Sequence, residues 1–253
     1  MTDLSVLATG LGLIPLSAIL LYSFAGHVAR HREAVWGLLA GIVAFLGLSH
    51  AMTAVLLNHA ALRFDPALAT VLPSVGLVVG AGIAWLLLEA SFIRTEPNRI
   101  VATAVVFLGL HSFSDGLVLG AGFIPGLVPS VRIDAVTVGA TIIHRFAEGC
   151  LVIIPALAAS WRPRAAFVVL FASLFAIPAA YVPSWIFNIA TEPARAEVQL
   201  AVPTFLSAVE ATLALWLLAR AFLPIAAAGR GSRWPVWTAI GFIAISLVHF
   251  FVE

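Results

Sequence analysis

Val101-Ala102-Thr103-Ala104-Val105-Val106-Phe107-Leu108-Gly109-Leu110-His111-Ser112-Phe113-Ser114-Asp115-Gly116-Leu117-Val118-Leu119-Gly120 is an apolar run whose only ionisable groups are His111 and Asp115. Its length matches the roughly 20 residues that a helix needs to cross a ~30 Å hydrocarbon core. A second run, 135–160, carries His144-Arg145-Phe146-Ala147-Glu148-Gly149, so the pattern His-x-x-x-acid-Gly occurs twice. On a helix, positions i and i+4 lie on one face about 5–6 Å apart between Cβ atoms. Each segment therefore offers an imidazole nitrogen and a carboxylate oxygen to a common point, and two facing helices offer four ligands to a metal ion within the membrane.

The rest of the chain agrees with this reading. Of 253 residues, 62% are hydrophobic and 10% charged, and the mean hydropathy is +1.10. A soluble domain of that composition would expose large apolar patches. Long apolar runs recur at 4–25, 34–57, 69–93, 100–123, 135–160, 165–190, 198–223 and 236–252. Lipid offers no partners to backbone amides, so the spans are helices or a closed barrel. Continuous apolar runs without alternation exclude the barrel. The expected fold is all-α, a polytopic bundle of eight transmembrane helices forming one domain over 1–253. The first run lacks a leading Lys or Arg and exceeds an h-region in length, so a retained helix rather than a signal peptide is expected.

All thirteen basic residues are Arg. Arg30, Arg32, Arg94, Arg99, Arg162, Arg164, Arg220, Arg230 and Arg233 flank the odd-numbered connections, while only Arg63, Arg132 and Arg195 flank the even ones. Cytoplasmic loops retain positive charge, which predicts both termini on the extracellular or periplasmic side of a plasma (inner) membrane. Trp161, Trp185, Trp234 and Trp237 stand near span ends, as an aromatic belt would place them. A net charge of +1 gives no footing for nucleic acid. The single cysteine, Cys150, cannot form an intramolecular disulfide.

Pro15 and Pro178 fall inside the first and sixth spans, and His50 and Glu210 inside the second and seventh. These positions correspond if spans 1–3 and 6–8 are repeats, and an odd number of helices per unit with two between would invert the second copy. Gly37 with Gly41, Gly76 with Gly80, and Gly116 with Gly120 permit close helix approach. Internal packing is their expected use, and a homodimer is compatible with them.

An ionisable group at mid-bilayer costs roughly 2.5–3.5 kcal/mol on insertion scales. Asp115, Arg145, Glu148 and Glu210 all fall near mid-span, and unpaired they would cost on the order of 10 kcal/mol, comparable to the roughly 5–15 kcal/mol stability of a whole domain. They must pair, bind ions or line water. A lone His-x-x-x-acid pair reads most simply as a local hydrogen bond, but two copies at similar depth in antiparallel spans favour a shared ion.

Both segments resemble the signature helices 4 and 5 of the ZIP (Zrt/Irt-like) divalent metal transporters, the run from His111 through Gly120-Ala121-Gly122-Phe123 being the more specific match. The resemblance implies a transport site at His111, Asp115, His144 and Glu148, pathway roles for His50 and Glu210, and uptake toward the cytoplasm. It implies a divalent metal ion as cargo, with zinc the best fit to two nitrogens and two oxygens and iron, manganese, cobalt and cadmium compatible. No cofactor is expected, and the lipid bilayer and the ion are the expected partners. The chain departs from the family pattern in several places. Ser114 and Ala147 stand where a proline often precedes each acid, Arg145 where Asn or Asp often follows the second histidine, and Ile177 where a glutamate often precedes the proline of span 6. Ser112, Arg145 and Ile177 thus occupy the positions that would ligate a second ion, and only the serine could do so. A single-ion site is expected, with Arg145 as a tethered cation in the second ion's place, pairing with Glu148 or Glu210.

The alternative is an intramembrane zinc-dependent hydrolase, in which Glu210 would serve as general acid or base. No His-Glu-x-x-His element supports it. His27, His31, His59 and His249 are read as solvent-exposed, and Glu89 as lying within reach of Arg94 or solvent.

Overall fold

The computed structural model describes residues 14–61, 66–90, 93, 95–121, 135–190, 196–229 and 232–252. Among them every regular element is helical: α1 (Ile14–Ser23), α2 (Ala25–Arg30), α3 (Arg32–Ala61), α4 (Pro66–Leu88), α5 (Glu96–Ala121), α6 (Ala135–Ala158), α7 (Pro163–Ala190), α8 (Ala196–Leu217), a π-helical turn Leu218–Phe222, α9 (Leu223–Ala227) and α10 (Trp234–Val252). The apolar runs from 34 onward each coincide with a helix, as a chain with no water for its amides requires. Among the described residues five helices are long and apolar enough to cross a membrane: Arg32–His59, Thr70–Leu88, Glu96–Leu117, Pro163–Pro183 and Ala201–Ala227. Residues 4–13 of the first expected span lie outside the described residues, as do Arg63, Arg94, Arg132, Arg195 and Arg230, and Gly122 and Phe123 of the second half of the long motif.

The main contacts pair α5 with α7, α3 with α8 and α10, and α4 with α8, while α6 touches α1, α5 and α10. Glycines set these distances. A methyl on Gly41 would overlap the Thr238 carbonyl, one on Gly80 would meet the Val209 carbonyl at 2.8 Å, and one on Gly116 would overlap the Ile177 carbonyl. Gly37, Gly41, Gly76, Gly80 and Gly116 are thus spent on packing within the chain, while the surroundings of Gly120 lie outside what the structure describes. Many large apolar side chains face outward, among them Val78, Ile243 and Phe250, as lipid contact requires.

The arginine-rich turns gather at one end of the bundle. Tyr22 Oη donates to the Trp161 carbonyl (3.1 Å), Trp161 Nε1 to Asn98 Oδ1 (2.7 Å), and the Arg233 amide to Glu33 Oε1 (2.7 Å). Glu89 lies at the same end, accessible to solvent as expected, and pairs with Arg220, whose Nε donates to Oε1 at 2.6 Å, while Arg94 lies outside the described residues. Arg220 belongs to the π-helical turn, and no periodicity in the sequence marks that turn.

Candidate metal centre

Four helices each send ionisable side chains to the centre of the bundle. His50 comes from α3, His111 and Asp115 from α5, His144, Arg145 and Glu148 from α6, and Glu210 from α8. Burial is severe: His111 is 5% exposed, His144 4%, Glu148 1% and Glu210 0%. The i, i+4 spacing does what the sequence predicts in α6, where His144 Nε2 lies 2.8 Å from Glu148 Oε1. In α5 the corresponding approach is looser, His111 Nε2 standing 3.9 Å from Asp115 Oδ2.

His111 turns instead toward two other helices. Its Nε2 is 2.9 Å from Glu148 Oε1, and its Nδ1 is 3.5 Å from Glu210 Oε2, which His50 Nδ1 approaches at 3.1 Å. Two ligand triads result, His50–His111–Glu210 and His111–His144–Glu148, each offering three atoms within 4.8 Å of one another. Neither ring nitrogen of His111 and neither oxygen of Glu210 is aligned for a hydrogen bond among the described residues, although the contacts are short. These atoms converge on a shared space that could hold a cation.

Arg145 explains why Asp115 belongs to neither triad. One guanidinium nitrogen, Nη2, donates to Asp115 Oδ2 at 2.7 Å, while Nη1 donates to both oxygens of Glu148 at 2.9 and 2.7 Å. The fork thus spans α5 and α6, a use of arginine that lysine cannot reproduce. Glu210, weighed in the sequence as a partner for Arg145, takes His50 and His111 instead. Of the other two positions tied to a second ion, Ser112 and Ile177 are both buried, at 0% and 3% exposure. The Ser112 hydroxyl makes no hydrogen bond among the described residues, and the Ile177 backbone packs on Gly116.

The sequence reading missed one residue. His249, expected to be solvent-exposed, is 6% exposed, and its ring centroid lies 4.6 Å from that of His144. The four rings form a file, with His50 to His111 at 4.9 Å, His111 to His144 at 6.0 Å and His144 to His249 at 4.6 Å. His27, His31 and His59 are exposed as expected. His249 is followed four residues on by Glu253, the His-x-x-x-acid spacing of the other two motifs, and that spacing together with the cost of an imidazole in an apolar span was the signal in the sequence.

Charge completes the description. With carboxylates ionised and imidazoles neutral, Asp115, Glu148 and Glu210 carry three negative charges and Arg145 one positive, which leaves −2. A buried net charge of that size is expensive in a low-dielectric interior, and one divalent cation cancels it. No family model matches the chain, and no curated protein matches it.

Proposed function

We propose that this protein is a ZIP-like transporter that moves one divalent transition metal ion at a time through the bundle. The observation that carries the reading is the pair of buried triads sharing His111, with a net charge that one such ion neutralises. Two imidazoles and a carboxylate suit Zn²⁺ above harder ions, with a water or further side chain completing four-coordination, and iron, manganese, cobalt and cadmium share enough of that chemistry to compete. The triads act as successive stations. A neutral imidazole has one acceptor nitrogen, so His111 serves one triad at a time and hands the ion on.

Arg145 stands as the tethered cation where a second ion would be bridged by Asp115 and Glu148, which keeps the site mononuclear. The eight-span plan with an inverted repeat of spans 1–3 and 6–8 draws support from the packing. Exchanging span 1 with 6, 2 with 7, 3 with 8 and 4 with 5 turns the α3–α10 contact into the α8–α4 contact, and α5–α7 into α6–α1. The shared end of the arginine-rich turns supports both termini on the opposite, outer side, and uptake toward the cytoplasm follows from the family resemblance. For the hydrolase reading, Glu210 would have to be a base that is not a ligand, yet it stands within 3.5 Å of His50 and His111.

The test is Zn²⁺ flux into proteoliposomes containing the purified protein, with Fe²⁺, Mn²⁺, Co²⁺ and Cd²⁺ as competitors. Saturable flux that competing ions suppress is expected. Tight Zn²⁺ binding without flux would overturn transport.

A further inference from the structure

His249 lies four residues before the end of the chain, on a helix whose remaining side chains are almost all apolar. Among the rings packed on it are His144 at 4.6 Å, inclined by 73°, and Phe45 at 4.9 Å. His144 is thus nearer to His249 than to His111, at 6.0 Å, with which it shares a triad.

The His144 ring has a nitrogen left over. Its Nε2 faces Glu148 Oε1 at 2.8 Å, whereas its Nδ1 is buried and makes no hydrogen bond among the described residues. Rings at this separation can both reach one ion, since Zn–N bonds are about 2.1 Å long. His249 stands at one end of the file of four rings, next to His144 and at the opposite end from His50.

We propose that His249 and His144 form a further metal station, a two-imidazole site that receives a divalent transition ion and passes it to the triads; this rests on the reading of the protein as a metal transporter. The chemistry makes the station transient. A neutral His144 donates one lone pair, through Nδ1 toward His249 or through Nε2 toward Glu148, and the two uses exclude each other. An ion at His249 must therefore leave it as the His111–His144–Glu148 triad takes hold. The station adds a step to the path without adding a second resident ion, in keeping with a cluster whose charge one ion cancels. Two nitrogens, with no carboxylate beside them among the described residues, also bind weakly enough for release, as a pathway needs.

The test uses the whole protein in proteoliposomes and in detergent, with Zn²⁺ and Cd²⁺ as probes. His249→Phe keeps an aromatic ring against His144 and Phe45 and removes the nitrogens. It should lower Zn²⁺ flux at sub-saturating metal roughly tenfold, while binding in detergent stays at one ion per chain and the Zn²⁺-induced rise in melting temperature is unchanged. His249→Cys replaces nitrogen with a softer sulfur ligand and should raise the Cd²⁺ to Zn²⁺ flux ratio several-fold, a change that a packing role would not produce. Parental flux in His249→Phe, or an unshifted ratio in His249→Cys, overturns the station alone. Loss of the resident ion in His249→Phe also overturns it, because His249 would then be a permanent ligand. Absence of both binding and flux in the parent protein overturns the transporter reading and the station with it.

Discussion

Arg145 and Asp115, thirty positions apart on neighbouring helices, are joined by a 2.7 Å hydrogen bond between Nη2 and Oδ2, while the same guanidinium holds Glu148. The arginine is the permanently charged cation among the described residues of the cluster, and it ties together two carboxylates that would otherwise repel across the centre of the bundle. Removing one partner of a buried pair leaves the other uncompensated, at a cost of about 3–5 kcal/mol.

Arg145→Gln should therefore lower the metal-free melting temperature by on the order of 10 °C. Zn²⁺ at about 100 times its dissociation constant should restore roughly 2.7 kcal/mol of that loss. The net charge moves from −2 to −3, so the variant should accept a second Zn²⁺ or bind the first more tightly. Arg145→Gln with Asp115→Asn returns the charge to −2 and should bring the stoichiometry back to one. A parental melting temperature and one ion per chain in Arg145→Gln would show that the guanidinium does not hold this place.

Much of this arrangement is legible in the sequence because helical spacing is short-range. The 20-residue apolar runs give the helices, and His144 with Glu148 gives the one i, i+4 contact that is close. The remainder depends on which helices face each other. His50 meets Glu210 across 160 residues, and Asp115 is drawn from the ligand set by an arginine about 100° around α6 from His144. His249 has the i, i+4 spacing to Glu253 in the sequence, yet only the fold reveals its neighbour on α6.

Glycine substitutions should divide by their surroundings. Gly41→Ala and Gly116→Ala push a methyl into the backbone carbonyls of Thr238 and Ile177. Each should cost about 1–3 kcal/mol as overpacking forces α3 from α10, or α5 from α7. Gly82→Ala and Gly109→Ala open onto free space and should be neutral or slightly stabilising. Thermal unfolding of the four variants in one detergent checks this, and equal losses in both groups would mean that the helices do not approach so closely.

Orientation follows from the shared end of the arginine-rich turns. In a Cys150→Ser background, cysteines placed one at a time at Ser160 or Ser232 should react with a membrane-impermeant maleimide only after the cytoplasmic side is exposed. Labelling from outside intact cells would invert the topology and, with it, the direction of uptake.

His111 should be the least replaceable ligand, because it alone belongs to both triads. His50→Ala removes a nitrogen from one triad and His144→Ala from the other, so an ion can still occupy whichever triad remains intact, and each variant should lose roughly tenfold in Zn²⁺ affinity. His111→Ala leaves one imidazole and one carboxylate in either place. The ion has no complete triad to retreat to, and the loss should exceed roughly 100-fold, or about 2.8 kcal/mol at 1.4 kcal/mol per tenfold. The double variant His50→Ala/His144→Ala should fall as far as His111→Ala, more than its single changes imply, since the second substitution removes the triad on which the first still relied. Titration calorimetry with Zn²⁺ on the four variants measures this. If His111→Ala is no weaker than His50→Ala, or if the two single losses simply add in the double variant, the triads are not alternative stations sharing one histidine.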